Sequence, residues 1–171
     1  ELEKYVAEIH RKTGMRPSVP SAKHTETITI AKGQGAKQSG ELFTAEMRQQ
    51  LDTVFARMES PLLLKLVLDD RPVSNELERF IIALAALTDK LTVEVEQRAA
   101  TSREAPCVSI CKIDGTQTGL AFHGVPSGHE FTSFVLGLYN AAGPGQALEA
   151  DIEQEIAGIA KPVDIKVLVT L

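Results

Sequence analysis

The sequence has few cysteines and no excess of basic residues. Two of its 171 residues are cysteine, too few for a secreted domain held together by disulfides. The four histidines, at positions 10, 24, 123 and 129, are too scattered for a zinc-binding spacing. Eighteen Lys and Arg stand against 23 Asp and Glu, a formal net charge of -5. A protein that binds a phosphate backbone needs the opposite balance, so we expect no nucleic-acid partner.

Long hydrophobic runs are absent as well. No stretch reaches the roughly 18 apolar residues that span a bilayer. Residues 1–20 lack the positively charged start and apolar run of a secretory signal. We therefore expect no membrane association and a cytoplasmic location. With 43% hydrophobic and 24% charged residues, the chain has the composition of a globular protein that buries a core.

Residues 1–40 do not have the pattern of a domain start. Residues 1–14 carry apolar side chains at helical spacing and end at Gly14, which predicts a short amphipathic helix. Residues 15–40 contain two prolines, three glycines and many polar residues, with one β-prone patch at residues 27–30. We interpret residues 1–14 as the terminal helix of a preceding module and residues 15–40 as a flexible linker.

The next segment begins with the pattern of a βαβ unit. Thr44 is the expected N-cap of an amphipathic helix. Residues 62–68 then form a nearly continuous apolar run, typical of a buried central strand. Ser74 or Asn75 is the expected cap of the following helix. Residues 91–96 alternate apolar and polar side chains, and the intervening helix predicts a strand parallel to the first.

A hairpin and a last helix complete this segment. Asp114-Gly115 is a strong hairpin signal between two β-prone runs, which predicts two antiparallel strands. A helix opens near Gly128 and ends at the glycine and proline cluster of residues 143–145. A parallel βαβ unit followed by ββα, with helices on both sides of a four-stranded mixed sheet, is the α/β thioredoxin-like fold. We assign it to residues 41–145.

Residues 146–171 repeat the beginning of this fold. Four apolar positions recur at a constant offset of 101 residues: Met47, Leu51, Phe55 and Met58 are followed by Leu148, Ile152, Ile156 and Ile159. A proline and a lysine inside the next apolar run recur at the same offset, at positions 162 and 166. We predict that residues 146–171 are the first helix and first strand of a second copy.

The first copy lacks the residues for thiol chemistry. A redox-active thioredoxin-like fold needs Cys-x-x-Cys at the start of its first βα helix, because the helix N-terminus lowers the thiol pKa. Residues 69–75, Asp-Asp-Arg-Pro-Val-Ser-Asn, hold that place and contain no sulfur. We predict that this copy is redox-inactive. We attribute Asp69 and Asp70 to turn chemistry rather than to a metal site or an acid pair.

Cys107 and Cys111 do not replace the missing dithiol. Residues four apart on a strand lie about 13 Å apart, beyond the roughly 7 Å between Cα atoms that a disulfide allows. We expect both to be buried structural cysteines, and a redox role for either one is the remaining alternative. His129 and Glu130 fall in the first turn of the last helix, where Glu suits the helix dipole. Their position alone predicts a structural role.

Three stretches resemble a known family. Residues 68–70, 87–92 and 122–136 resemble the N-terminal domain of the flavoprotein component of alkyl hydroperoxide reductase, and Gly-His-Glu-Phe-Thr-Ser at residues 128–133 is the most specific part. The resemblance covers about residues 42–171. In that family the domain consists of two tandem thioredoxin-like folds, and only the second carries Cys-x-x-Cys. Residues 1–9 resemble the closing helix of thioredoxin-reductase-type flavoproteins, which implies a flavoprotein module ahead of the pair, the reverse of the family's usual order.

The resemblance implies a function in peroxide detoxification. This chain would be the non-catalytic scaffold half of a disulfide reductase that passes electrons from NAD(P)H through FAD and a dithiol to a peroxiredoxin-like partner. By resemblance, Glu130, with His129 beside it, lies near the dithiol of the second fold, where a carboxylate raises the thiol pKa. We expect no catalytic, cofactor-binding or metal residues in this chain itself. The alternative function is a docking or assembly module without electron transfer.

Overall fold

The computed structural model describes the backbone of residues 25–28, together with residues 42–99 and 104–169. The predicted helix at residues 1–14 lies outside these ranges. The secondary structure follows the predicted order from Thr44 to Ala157, with one additional strand before it. The elements are β1 Thr25–Ile28, α1 Ala45–Arg57, β2 Leu62–Leu68, α2 Pro72–Ala85, β3 Leu91–Gln97, β4 Cys107–Lys112, β5 Gln117–His123, α3 His129–Ala142 and α4 Ala150–Ala157.

The strands form one mixed sheet in the order β1-β3-β2-β4-β5. β2 is parallel to β3 and antiparallel to β4, and β4 is antiparallel to β5. β2 is the central strand, which explains why its sequence is almost continuously apolar. The thioredoxin-like α/β class is confirmed. None of the described helices is long and apolar enough to cross a membrane.

The sheet has five strands rather than the predicted four. β1 pairs antiparallel with β3, with Thr25 opposite Glu96 and Ile28 opposite Val93. These four residues belong to the segment predicted to be a flexible linker, and that prediction is wrong for them. The outer edge of β3 offers unpaired backbone groups, and a short β-prone segment satisfies them there. The rest of residues 15–40 lies outside the described ranges.

The core lies on one face of the sheet. Every second residue of the central strands points into it, including Leu64 of β2, Val93 of β3 and Ile110 of β4. α1, α2 and α3 all bury their apolar side chains in this same core. The expectation of helices on both sides of the sheet is therefore wrong for these three helices. Hydrophobic periodicity shows which side of a helix is buried and does not show which side of the sheet it covers.

Of the described helices, α1 begins at a side-chain cap, whereas α2 begins without one. Thr44 is the N-cap of α1 as predicted, and its Oγ1 accepts a hydrogen bond from the Met47 backbone N–H at 3.2 Å. α2 begins one turn earlier than expected, with Arg71 at the N-cap and Pro72 in the first turn. Ser74 does not cap the helix because its hydroxyl donates to Asp69. The prediction of Ser74 or Asn75 as the cap is therefore wrong.

Residues 146–169 contain the predicted helix and no strand. α4 lies where its first helix was expected, but residues 162–169 form no strand. A strand exists only when a neighbour exchanges backbone hydrogen bonds with it, and none of the described strands pairs with this segment. All side chains of residues 147–169 are exposed. Residues 162–169 therefore lack a strand partner among the described residues, and the second fold stays a prediction.

Candidate functional site

The carboxyl end of β2 and the start of α2 hold a partly buried polar cluster at the position that the dithiol takes in a redox-active thioredoxin-like fold. The Asp69–Arg71–Ser74 cluster consists of these three side chains. β2 delivers Asp69 directly after its last residue, and the first turn of α2 carries Ser74. Asp69 and Ser74 are the two polar residues that are fully buried among the described residues. Buried polar groups at a helix start require partners, which the cluster supplies.

Asp69 uses both of its carboxylate oxygens. Oδ2 accepts from Arg71 Nε at 2.7 Å and lies 2.6 Å from Arg71 Nη2. Oδ1 accepts from Ser74 Oγ at 2.7 Å and from the Arg71 backbone N–H at 3.1 Å. Ser74 Oγ in turn accepts from the Asp69 backbone N–H at 3.1 Å. Hydrogen bonds among Asp69, Arg71 and Ser74, most of them to the carboxylate, therefore occupy the place where a redox-active fold carries its thiols.

These contacts set the charge of the cluster. The hydrogen bonds from Arg71 and Ser74 lower the pKa of Asp69 from 3.8 to about 2, although burial acts in the opposite direction. The same ion pair raises the pKa of the Arg71 guanidinium. Asp69 is therefore ionised at neutral pH. With such a low pKa and both oxygens occupied, it is a poor general base.

Arg71 also ties the cluster to the loop before β4. Its Nη2 donates to the carbonyl oxygen of Ala105. Ala105 precedes Pro106 through a cis peptide bond, and the Pro106 carbonyl accepts from the Gly124 backbone N–H at 3.0 Å. Three chain segments, after β2, before β4 and after β5, are thus joined at one end of the sheet. The arrangement can hold these segments together, and the side chains that compose it are not redox-active.

Only part of this cluster was predictable. Residues 69–75 were correctly identified as the site without sulfur, but Asp69 was attributed to turn chemistry. A carboxylate with Arg two residues later and Ser five residues later, across a strand-to-helix junction, is a signal for an internal hydrogen-bond ring. The contact between Arg71 and Ala105 joins residues 34 positions apart, and no local pattern indicates it.

The two cysteines lie on the opposite face of the sheet from the core. Both Cys107 and Cys111 are buried and unbridged, which confirms the prediction of buried cysteines. Burial raises the pKa of both thiols. The side chain of Ser109 lies beside Cys107, with Oγ 4.0 Å from Sγ. A raised pKa disfavours the thiolate, so neither cysteine has the character of an attacking thiol.

A cavity of about 400 Å³ lies on the same face as the cysteines. Its charged side chains already form ion pairs, with Lys65 Nζ 3.6 Å from Glu94 Oε1 and Arg98 Nε 2.8 Å from Glu96 Oε1. It therefore lacks the concentrated positive charge that nucleotide phosphates favour. In the part of the chain with described side chains, no group of three or more His, Cys, Asp or Glu could hold a metal ion.

His129 and Glu130 lie together in the first turn of α3. His129 is exposed and Glu130 is half-buried. The Glu130 backbone N–H donates to the Ser127 carbonyl at 3.1 Å, and Gly128 is the N-cap with a φ of 57°. Within the described residues, no hydrogen bond joins either side chain to the Asp69–Arg71–Ser74 cluster. Their predicted effect on a dithiol of the second fold stays a prediction.

Several curated proteins are similar to this chain. The AhpF component of alkyl hydroperoxide reductase from Pseudomonas aeruginosa is 32% identical over 118 residues, which are 69% of this chain and 22% of that protein. The AhpF component from Staphylococcus epidermidis is 28% identical over 130 residues, 76% of this chain and 25% of that protein. A Bacillus subtilis protein named NADH dehydrogenase is 28% identical over 116 residues, 68% of this chain and 22% of that protein. The matching part spans a quarter or less of these relatives.

Solved structures give the same relationship. The C503A mutant of AhpF from Enterococcus faecalis superposes with a TM-score of 0.62 at 35% identity, covering 68% of this chain and 60% of that chain. The separate NTD_N/C domain of the same protein gives a TM-score of 0.61 at 35% identity, covering 67% and 59%. No protein-family model matches the chain. The chain is therefore a homologue of the AhpF component of alkyl hydroperoxide reductase, related to it through the N-terminal domain of that protein.

Proposed function

We propose that this chain is the redox-inactive scaffold half of the N-terminal domain in a flavin-dependent disulfide reductase. The observation that carries the proposal is the Asp69–Arg71–Ser74 cluster, which occupies the dithiol position in a fold homologous to that domain. In this proposal the reductase works in the cytoplasm. It passes electrons from NAD(P)H through FAD and a dithiol of the second fold to a peroxiredoxin-like partner. In this proposal FAD and NAD(P)H belong to a flavoprotein module ahead of the linker, and residues 1–14 are part of that module.

The apolar side chains after residue 146 support the second fold. Leu148, Ile152, Ile156 and Ile159 repeat the pattern of α1, whose equivalent residues Leu51 and Phe55 are buried in the first core. All four of these side chains, two of them in α4, are exposed, as are Val163, Ile165, Val167 and Leu168. A contiguous apolar stripe on a helix and an apolar segment beside it need a core to cover them. The proposed second fold supplies that core.

The first experiment tests where the electrons pass. In the natural polypeptide that contains these residues, we replace Cys107 by Ala, and separately Cys111, and measure NAD(P)H oxidation with a peroxiredoxin and peroxide. We expect unchanged rates, because neither thiol takes part in electron transfer. A strong loss of rate in a variant with a native circular dichroism spectrum and melting temperature would show that the first fold is redox-active.

The scaffold role has its own test at Glu130. The proposal places this carboxylate near the dithiol of the second fold, where a negative charge disfavours the thiolate. Replacing Glu130 by Gln in the same polypeptide lowers the pKa of the nucleophilic thiol, measured from the pH dependence of its alkylation rate. Glu76→Gln, on the exposed side of α2, is the matched control and leaves that pKa unchanged. An identical titration in all three proteins would refute the role of Glu130.

The alternative function, a docking or assembly module, gives a different result in the same assay. A docking module would bind a peroxiredoxin or a flavoprotein without any NAD(P)H-dependent reduction of a disulfide. The natural polypeptide would then contain no Cys-x-x-Cys in its second thioredoxin-like fold. Reduction of the peroxiredoxin excludes this alternative, and binding without reduction supports it.

A further inference from the structure

One row of residues crosses all five strands near one end of the sheet. The strand registers place these residues side by side in the order Thr25 of β1, Glu96 of β3, Val67 of β2, Cys107 of β4 and His123 of β5. Asp69 lies just beyond this row, directly after β2. We call this end the cluster end of the sheet, because the Asp69–Arg71–Ser74 cluster lies there.

Strand directions decide which parts of the chain lie at the cluster end. β2 and β5 are both antiparallel to β4, so both finish at this end. α3 follows β5 and runs back to the start of β2, where the Ala142 carbonyl accepts from the Glu59 N–H at 2.7 Å. The first turn of α3, which contains Glu130, therefore lies at the cluster end as well.

β1 begins at this same end. It is antiparallel to β3, with Thr25 opposite Glu96 and Ile28 opposite Val93. The chain that precedes Thr25 therefore reaches the first fold at the cluster end. A strand parallel to β3 in the same place would bring that chain to the far end of the sheet, about 20 Å away along the seven residues of β3.

β1 also shortens the segment between the first fold and the predicted upstream module. Ten residues, 15–24, separate the predicted terminal helix from β1. Whatever their conformation, ten residues span at most about 35 Å. Without β1, the 27 residues 15–41 would precede the first fold, and their greatest span is about 95 Å. A shorter connection raises the effective concentration of one module beside the other.

We propose that β1 is a docking strand that anchors the upstream flavoprotein module at the cluster end of the sheet. The inference rests on the proposed function for the identity of that module. The surface is the outer edge of β3, and its occupant is an extended segment of the same chain, held by backbone pairing. In the proposed electron path the dithiol of the second fold lies near Glu130. The anchor therefore ties the module that reduces this dithiol to the end of the sheet where Glu130 lies.

A spin label just ahead of β1 tests this placement in the 171-residue chain. Lys23→Cys introduces the label two residues before β1, and the two natural cysteines are buried and react slowly. NMR should show that the amide signals of Asp70 and Arg98, at the cluster end, lose most of their intensity. The signals of Asp89 and Gly115, at the far end, should keep theirs. Equal loss at both ends, or a larger loss at Asp89, would overturn the proposal.

Proline substitutions in β1 test whether its pairing is the anchor. Successive N–H groups of a strand point to opposite edges, so one of Glu26 and Thr27 donates towards β3. Replacing both by proline removes that donor. The Arg98 signal should then recover, and β3 amides that face β1 should exchange about fivefold faster for each lost hydrogen bond.

The matched control for this variant is Glu26→Thr with Thr27→Val, which keeps both N–H groups. It should retain the loss of signal at Arg98 and the slow exchange in β3. An unchanged loss of signal in the proline variant, with a native circular dichroism spectrum, would contradict anchoring by β1.

These measurements are independent of the redox assay. If no peroxiredoxin is reduced but the label ahead of β1 affects only the cluster end, the anchor stands and the electron-transfer function fails. If reduction is observed but the label affects both ends equally, the function stands and the anchor is wrong.

Discussion

Arg71 and Asp69 form a two-nitrogen ion pair at the end of the central strand, with Nε and Nη2 of Arg71 2.7 and 2.6 Å from the same carboxylate oxygen of Asp69. The Asp69 side chain is completely buried, whereas that of Arg71 is 45% exposed. The pair therefore neutralises a buried charge with a residue that still reaches the surface. It closes the end of the sheet at which thioredoxin-like folds carry their thiols.

The lowered pKa of Asp69 makes the free energy of unfolding depend on pH in the acid range. Because folding lowers its pKa from 3.8 to about 2, its contribution is complete above about pH 4 and is lost as pH falls towards 2. We expect Asp69→Asn to lower the free energy of unfolding by a constant amount between pH 7 and 5. The difference from the unsubstituted protein should then shrink between pH 4 and 2. Urea unfolding at a series of pH values measures it, and a difference that does not change with pH would contradict the low pKa.

Arg71 should not be replaceable by lysine. A planar guanidinium reaches Asp69 and the Ala105 carbonyl at the same time, whereas an ammonium group is a single point charge on a flexible stem. Arg71→Lys should lower the melting temperature by several degrees and move the acid limb of unfolding to higher pH. Arg79→Lys, at an exposed position of α2, is the control. Equal melting temperatures for the two variants would show that the contact with Ala105 contributes nothing.

The cysteines should be unreactive in the folded protein. Burial raises the pKa of both Cys107 and Cys111 and shields their sulfur atoms. Titration with a chromogenic disulfide at pH 8 should release two equivalents of thiol in urea, and at least about tenfold more slowly under native conditions. Rapid reaction of one thiol in the native protein would revive the alternative of a redox role for that cysteine.

Lys90 should contribute to the stability of α1 from outside that helix. Its Nζ donates to the carbonyl oxygens of Phe55 at 2.8 Å and Met58 at 2.7 Å, where the helix ends. A cation at a helix C-terminus satisfies free carbonyls and suits the helix dipole. Lys90→Met should lower the free energy of unfolding by about 1–2 kcal/mol. Lys112→Met, an exposed lysine of β4, should change it by less than about 0.5 kcal/mol.

Local patterns were sufficient for most of the elements of the first fold. The apolar run of β2 has its predicted bounds, Leu62–Leu68, because a strand at the centre of a sheet has a strand on each side and is shielded from solvent over most of its length. Thr44 caps α1, and the alternation at Leu91, Val93 and Val95 correctly indicates a strand with one buried face. The lack of a redox-active thiol at residues 69–75 also follows from the sequence, because thiol–disulfide exchange in this fold requires cysteine at the start of the first βα helix.

Features that depend on contacts between segments distant in sequence were decided only by the tertiary structure. The pairing of β1 with β3, the common side of the sheet for α1 to α3, and the lack of a strand at residues 162–169 each depend on which segments meet. Periodicity carries no information about that choice, because it reports burial and not the burying partner. Asp69 is an example of the same limit. Its sequence neighbours indicate a turn residue, whereas the structure shows that it is one partner of a buried ion pair with Arg71. Its burial is set by the fold, and Arg71 connects it to Ala105, 34 residues further along the chain.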